Sequence, residues 1–397
     1  SFRAPRQAEV SWSTWRKGLN TLLRESEIDK AEAVSLTNLM LAGSGVPTKR
    51  WGSANFFLSG ATGYGRFLFP AKNPADDTWH VLSMTDWGVL TKLNNASYTT
   101  LLGASWASGY NLEAAQLGGN VYLVQSQREM VRYNFSSLTG FPTLSIPGTL
   151  AATNLSNASG LSTWSWRVTA TSKVGETVGS TALSLASLPE QLSKTVVRLT
   201  WAAVSAASGD ITGYNVYRGN PGAETWVGGV NNSSTSFNDF GAVSPDATKL
   251  VPTADTTGGV TGKYIISFQD RLIIAGIPGA PSKVFVSGRY PQQERFDWQA
   301  GGGSILIEPD SGDNITGLAT YFNSTSQTQT IIVFKENSVW EVRLTNITFG
   351  NFIILDPSYR LLTHSHGCSS HRSIKAVEND IIFSNRRGCF MLRYEPN

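Results

Sequence analysis

The chain has 397 residues, enough for one large β architecture or roughly two to three ordinary domains, so length does not limit the size of its core. Hydrophobic residues make up 41% and charged residues only 15%, with 38 Gly and 12 Trp, a balance that favours strands and turns over helices. The formal net charge of +3 is too small to indicate a nucleic-acid coat, so any contact with DNA would have to come from local patches.

Cysteine usage and hydropathy exclude two further classes of protein. Two cysteines, Cys368 and Cys389, cannot form a disulfide framework, although a single bridge stays open and reduced thiols are the simpler interpretation. The apolar runs are far shorter than the roughly 18 to 20 residues that span a bilayer, and no export signal begins the sequence. We therefore predict no membrane span and a protein made in a cytosol.

The N-terminal stretch carries the best helical pattern in the chain. Within residues 19–42, Ile28, Ala31 and Val34 form a short apolar stripe, and acidic residues lie near its start. We predict a short helix here, within an N-terminal arm of residues 1–50.

Beyond this arm the pattern changes to short strands that recur in meanders. Each copy reads as an apolar strand, a polar tight turn, a second strand, a second turn and a third strand. The copies begin at Leu112, Lys263 and Ser373, with less regular ones at Ile315 and Trp79. This recurrence favours an all-β fold with a β-propeller built from residues 51–142 and 246–397. A pair of ordinary β-sandwiches is the alternative.

Residues 143–245 interrupt the meanders and have a different character. Trp201, the tyrosines Tyr214 and Tyr217, and an alternating strand from Trp166 to Ala170 resemble parts of a fibronectin type III module, an immunoglobulin-like β-sandwich. The strand that ends the usual module comes first here, so a rearranged sandwich or two half-modules is expected. Insertion at a surface loop of a propeller would accommodate such a domain.

The sequence carries no recognised catalytic motif. Neither a GxSxG elbow nor a phosphate-binding Walker loop is present. The acidic turn with Asp310, Asp313 and Asn314 has oxygen ligands for calcium, but it lacks the twelve-residue ligand pattern of a calcium loop and is better interpreted as a turn. We predict that the protein is not an enzyme and uses no cofactor.

One short stretch, LLTHSHGCSSHRSI, raises the question of a metal site. His364, His366, Cys368 and His371 have the ligand types that zinc or copper prefers. Within the repeat, however, the stretch is the connecting loop that precedes a strand, and no second cluster completes a ligand shell. We predict no metal here and interpret the stretch as a blade boundary whose histidines serve a contact between subunits.

Two groups of residues form motifs that carry a family resemblance. The first group lies in the N-terminal arm, with an acidic segment from Glu25 to Ala33 between its members: Gly18, Leu19, Asn20, Asn38, Arg50 and Gly52. The second group lies ahead of the strand that ends in Phe-Lys: Asp313, Ile315, Thr316, Gly317 and Leu318. Both groups resemble motifs of the tail nozzle family of short-tailed bacteriophages, also called tail tubular protein B. Family members usually continue beyond the strand at which this chain stops, so an incomplete last blade is expected.

The resemblance implies a structural virion protein of the tail, assembled in the cytoplasm of the host bacterium. Six copies would form a ring below the tail adaptor proteins, carry tail fibres, and enclose a channel through which double-stranded DNA leaves. Such a channel must bind DNA weakly, because each neutralised phosphate adds affinity that would stall passage.

Two other functions remain open from the sequence. A carbohydrate-binding or receptor-binding tail protein is favoured by the 11% aromatic content and by the predicted sandwich. A secreted adhesin with a fibronectin-like module is disfavoured because no export signal is visible.

Overall fold

The structure is a computed structural model that falls into two compact units, Ser1–Ser59 and Gly60–Asn397. It describes residues 18–19, 32–33, 39–41, 47–49, 65–94, 97–101, 106–204, 211–246, 248–323, 328–349, 352–377 and 380–393.

The described residues of the first unit are short strands. β1 (Gly18–Leu19) pairs in parallel with β2 (Glu32–Ala33), and β3 (Leu39–Leu41) pairs antiparallel with β4 (Pro47–Lys49). The helix predicted within residues 19–42 is therefore wrong for the residues described there, because they are extended and paired. Local helical pattern is a weak determinant when pairing with a neighbouring strand is available.

The second unit begins with two four-stranded antiparallel meanders. The first sheet contains β5 (Gly65–Lys72), β6 (Trp79–Thr85), β7 (Leu90–Asn94) and β8 (Ser97–Thr100). The second contains β9 (Glu113–Leu117), β10 (Asn120–Gln125), β11 (Arg128–Tyr133) and β12 (Leu138–Gly140).

Two sheets with crossed connections follow, and we call them the paired sheets. Their strands are β13 (Ala151–Asn154), β14 (Ser162–Ser172), β15 (Leu183–Leu188), β16 (Val197–Thr200), β17 (Ile211–Gly219), β18 (Thr225–Asn231) and β19 (Ser236–Asp239). One sheet has the order β13-β16-β19 and the other the order β15-β14-β17-β18. Side chains from both sheets form one hydrophobic cluster around Trp166, Leu199 and Val216.

Three further antiparallel meanders complete the described chain. The first of these contains β20 (Tyr264–Phe268), β21 (Arg271–Ile277), β22 (Ala280–Val286) and β23 (Gly303–Leu306). The next contains β24 (Ile315–Asn323), β25 (Thr328–Lys335), β26 (Val339–Phe349) and β27 (Phe352–Thr363). The last contains β28 (Lys375–Val377), β29 (Asp380–Asn385) and β30 (Gly388–Leu392).

The five meanders, which we call the array, pack face to face in chain order. One hydrophobic cluster lies between each meander and the next, so four clusters join the five sheets. The middle sheets are consequently covered on both faces. In β10, Val121 and Leu123 belong to the cluster with the preceding sheet, whereas Tyr122 and Val124 belong to the cluster with the following sheet.

The same arrangement explains the uninterrupted apolar runs LIIA in β21 and IIVF in β25. Successive side chains of a strand point to opposite faces, so a strand covered on both sides needs apolar residues at every position. Ile273 and Ile274 accordingly enter different clusters, as do Ile331 and Ile332.

The all-β prediction is confirmed. The helical segments of the described part of Gly60–Asn397 are single 3₁₀ turns: Leu192–Lys194, Trp298–Ala300, Pro309–Ser311 and His371–Ser373. Within the described part of the chain, no helix has the length and apolar character needed to cross a bilayer.

Candidate functional site

The first strands of the array lie side by side, and a polar cleft borders two of them, β9 and β20. β5 packs beside β9, β9 beside β20, β20 beside β24, and β24 beside β28. Near β9 and β20 the cleft has a volume of about 340 Å³ and is lined mainly by polar residues. Its lining includes Tyr110, Glu113, Lys263, Tyr264, His371 and Arg372.

Arg372 connects the two ends of this series of strands. It lies just ahead of β28, yet its Nη2 donates a hydrogen bond to the carbonyl oxygen of Arg66 in β5. Its Nε lies 3.7 Å from Oε1 of Glu113 in β9. Burial raises the pKa of Glu113, and the charge of Arg372 opposes that shift. The last described sheet is thereby linked to the first two.

His371 is a neutral packing residue in this cleft. Its ring centroid lies 4.9 Å from that of Tyr264, and its Nδ1 accepts a hydrogen bond from the Leu318 backbone N–H at 3.3 Å. Burial, together with the nearby Lys375 and Arg372, lowers the pKa of His371 to about 4. Since the ring is uncharged near neutral pH, it is poorly suited to proton transfer there.

The other predicted metal candidates lie in different surroundings. The His364 ring packs edge-on against Trp340 with centroids 6.0 Å apart, and the His366 ring stacks on Phe390 at 4.4 Å. Cys368 is buried and its thiol contacts the carbonyl oxygen of Ser370 at 3.1 Å. Across the described residues, no three His, Cys, Asp or Glu side chains are grouped so that they could hold a metal ion.

Both cysteines are free thiols, Cys368 buried and Cys389 exposed. The bridge that the sequence left open is therefore not formed.

The motif residue Asp313 joins two turns of the array. Its carboxylate accepts hydrogen bonds from the Asn337 backbone N–H at 3.2 Å and from the Ser338 hydroxyl at 3.0 Å. Asp313 is buried, so these bonds satisfy a charge that would otherwise be costly to bury. The sequence interpretation of this segment as a turn agrees with these contacts.

The remaining residues of the second motif pack β24 against its neighbours on both sides. Ile315 and Leu318 are buried in the cluster shared with the preceding sheet, and the Thr316 hydroxyl donates to the Phe334 carbonyl oxygen at 3.3 Å. A Cβ at Gly317 would lie 2.3 Å from Cδ1 of Ile374 and 3.1 Å from Nδ1 of His371. Glycine therefore permits the close approach of this segment to β24.

The structure describes only two residues of the first motif. Gly18 and Leu19 form β1, whereas Asn20, Asn38, Arg50 and Gly52 lie outside the described residues.

Sequence reasoning missed several buried charged residues, among them Lys335, Arg271 and Glu176. Lys335 is fully buried, and its Nζ donates to the carbonyl oxygens of Ile307 and Glu308 at 2.9 and 3.0 Å and to the Ser311 hydroxyl at 3.0 Å. The sequence held one signal for the burial of Lys335, which directly follows the apolar run IIVF. A strand with such a run is covered by neighbouring sheets, so the residue at its end is buried as well.

Arg271 and Glu176 had no sequence signal. Arg271 is buried beside two carbonyl groups, donating to that of Gly301 at 2.6 Å, and also donates to Oδ1 of Asn346 at 2.9 Å. Burial lowers its pKa to about 10. Glu176 is buried on the outer side of β14, and burial raises its pKa to about 7.

Comparisons with known proteins give no family. No protein-family model matches the chain, and no curated protein matches it. Among solved structures, a crystal structure of BBS1N in complex with ARL6DN, soaked with lead, is 7% identical over 84% of this chain and 93% of that chain, with a TM-score of 0.22. A structure of YCF48 bound to D1 peptide is 12% identical over 73% of this chain and 84% of that one, with a TM-score of 0.16. At these TM-scores neither similarity supports a fold or a function for this chain.

Proposed function

We propose that the chain is a non-enzymatic structural subunit of a bacteriophage tail nozzle. The observation that carries the proposal is the serial packing of the five meanders, with their first strands side by side. The motif residues Asp313 and Gly317 support it further, because both are engaged in packing and turn contacts.

For the fold, we propose a β-propeller whose blades are the five meanders. Blades of a propeller are small antiparallel sheets that pack face to face around an axis bordered by their first strands. The hydrogen bond from Arg372 to β5 supports closure, since it joins the last described sheet to the first.

The paired sheets are proposed to be a rearranged fibronectin type III-like sandwich inserted between β12 and β20. Trp201 and Tyr214 pack edge to face at 5.3 Å, and the Tyr214 hydroxyl accepts a hydrogen bond from the Val204 N–H at 2.9 Å. β14 lies between β15 and β17, which agrees with a module whose closing strands come first in the chain.

In the assembled particle, six copies are proposed to form a ring that contacts tail adaptor proteins and tail fibres and lets double-stranded DNA pass. The net charge of +3 suits a conduit, because strong phosphate binding would retain the DNA.

Single-particle cryo-electron microscopy of the phage tail tests this proposal. We expect density for this chain in a six-fold ring on the tail axis, with the first strands of the array facing a common axis in each subunit. A peripheral or three-fold position would refute the nozzle assignment. Ring formation without a closed array would refute only the propeller.

A glycan-binding tail protein is the second candidate, favoured by two exposed indoles. Trp79 is 57% exposed and Trp87 is 67% exposed, and exposed aromatic rings are the surfaces on which sugars stack. Binding of the intact protein to host polysaccharide, lost in the Trp79→Ala and Trp87→Ala variants, would favour this function. Retention of binding in both variants would exclude these two rings as the site.

A further inference from the structure

A cavity of about 370 Å³ lies where the chain leaves the paired sheets and crosses the outer strands of the array. Its size is within the range of small-molecule sites in proteins. The apolar part of its wall includes Phe285, Phe296, Ile354, Leu355 and Pro357.

The two carboxyl groups in the wall accept hydrogen bonds from neighbouring side chains. Asp297 forms two hydrogen bonds of 2.9 Å with the guanidinium of Arg295. Oε1 of Glu176 accepts hydrogen bonds from the Tyr217 hydroxyl at 2.6 Å, from Nδ2 of Asn215 at 2.9 Å and from the Thr169 hydroxyl. Its Oε2 is buried and has no hydrogen-bond partner among the described residues.

Lys283 is the wall residue whose charge is not balanced. Its Nζ lies 4.9 Å from the centroid of the Phe285 ring, and no carboxylate or hydrogen-bond acceptor contacts it among the described residues. The side chain is partly buried, and burial lowers the pKa of its ammonium group.

Among the described residues, two lysines are fully buried, and the ammonium group of each is paired with oxygen atoms of the protein. Lys335 donates to three oxygen acceptors, and Nζ of Lys249 lies 3.2 Å from the Asp246 carboxylate. Buried ammonium groups are normally paired in this way because an uncompensated charge is costly to desolvate. Lys283 is only partly buried and has no such protein partner among the described residues, so its ammonium group is open to a ligand as well as to solvent.

We propose that this cavity binds a medium-chain carboxylate, with the carboxylate on Nζ of Lys283 and the hydrocarbon chain against Phe285, Ile354 and Leu355. The charge of Lys283 selects an anion, and the apolar wall selects a hydrocarbon body of limited length. The proposal is independent of the nozzle assignment, since it concerns a cavity away from the first strands of the array.

Isothermal titration calorimetry of the full chain with octanoate and with octan-1-ol tests the site. Octanoate is expected to bind the native protein and the Lys375→Met control with equal affinity, since Lys375 is exposed and lines neither the cavity nor the polar cleft. In Lys283→Met we expect octanoate binding to weaken about 10-fold or more, because hydrogen bonds to charged groups are among the stronger polar contacts. Octan-1-ol lacks the charge, so its binding should not differ between the native protein and Lys283→Met.

Equal octanoate affinity in Lys283→Met and native protein would overturn the proposal, as would no octanoate binding to native protein. Chemical labelling gives a readout that needs no variant. Trinitrobenzenesulfonate modification of Lys283, followed by mass spectrometry, should slow in the presence of octanoate while labelling of Lys375 stays constant. Unchanged labelling of Lys283 at saturating octanoate would also contradict the proposal.

Discussion

Strand β21 of the array and strand β16 of the paired sheets bury their residues in different ways. In β21 of the array, Ile273 enters one hydrophobic cluster and Ile274 the next, so both faces of the strand are covered. In β16 of the paired sheets, Leu199 is buried whereas Arg198 is exposed. An uninterrupted apolar run thus marks a strand between two sheets, and alternation marks a strand with one face in solvent.

The largest expected effect on the free energy of unfolding comes from replacing Ile273 and Ile274 of β21 together. The double variant Ile273→Ala/Ile274→Ala should lower the free energy of unfolding by about 5 kcal/mol, because each large-to-small change leaves a cavity in a separate cluster. Urea denaturation of the double variant and of each single variant measures this. Arg198→Ala in the paired sheets is the control and should change stability by less than about 0.5 kcal/mol. A single variant at either isoleucine with no effect would show that its face is not covered.

A smaller effect is expected at Lys335, which joins the turn before β24 to the end of β25. Lys335→Met removes the donor to Ile307, Glu308 and Ser311, so three buried acceptors lose a partner. We expect the free energy of unfolding to fall by about 3 kcal/mol. The exposed lysine variant Lys263→Met is the control in the same denaturation series. Equal stability of the two variants would show that Lys335 is not needed for this connection.

Glu176 distinguishes the paired-sheet region by its response to pH. Its pKa is about 7 in the folded protein, above the ordinary value of 4.5, so the folded state holds the proton more tightly than the unfolded state. The resulting stabilisation is present below the unfolded pKa and is lost as pH rises through about 7. As pH rises from about 5.5 to about 7.5, the free energy of unfolding of the native protein should fall by about 2 kcal/mol relative to that of Glu176→Gln. Parallel denaturation curves for the two proteins at both pH values would contradict this prediction.

His371 in the array should make stability change with pH in the direction opposite to that of Glu176. Its pKa is about 4 in the folded protein, below the ordinary value of 6.5, so its stabilisation is present above the unfolded pKa and is lost as pH falls through about 4. As pH rises from about 5.5 to about 7.5, the free energy of unfolding of the native protein should increase by about 1 kcal/mol relative to that of His371→Asn. Asparagine supplies an oxygen that can accept the Leu318 N–H, so the comparison isolates the titration. No difference between the two proteins would place His371 in a solvent-exposed environment, and a difference of the same sign as for Glu176 would mean that the folded state favours its charged form.

Several elements were predictable because their signal is local. The meanders around β10, β21, β25 and β29 were expected from apolar runs separated by polar tight turns, and all four are strands. Of the stretch predicted to be helical, Glu32–Ala33 and Leu39–Leu41 are strands, whereas the predicted apolar stripe Ile28, Ala31 and Val34 lies outside the described residues.

The histidine-rich loop shows why spacing along the chain did not define a site. His364, His366 and His371 lie within eight residues of one another, yet their rings pack against Trp340, Phe390 and Tyr264. An extended loop points neighbouring side chains in different directions, so short spacing does not bring ligands to one point.

By itself, the sequence determined that the chain forms strands, where the tight turns lie, and which strands are apolar on both faces, because these depend on residues near one another. Only the tertiary structure decided that His371 lies close to Gly317, where a side chain would clash. It also decided that Lys335 donates to three acceptors, whereas Lys283 has no acceptor among the described residues. Those outcomes depend on which distant segments meet, and the free energy of a buried charge is set by the partners that the fold places beside it.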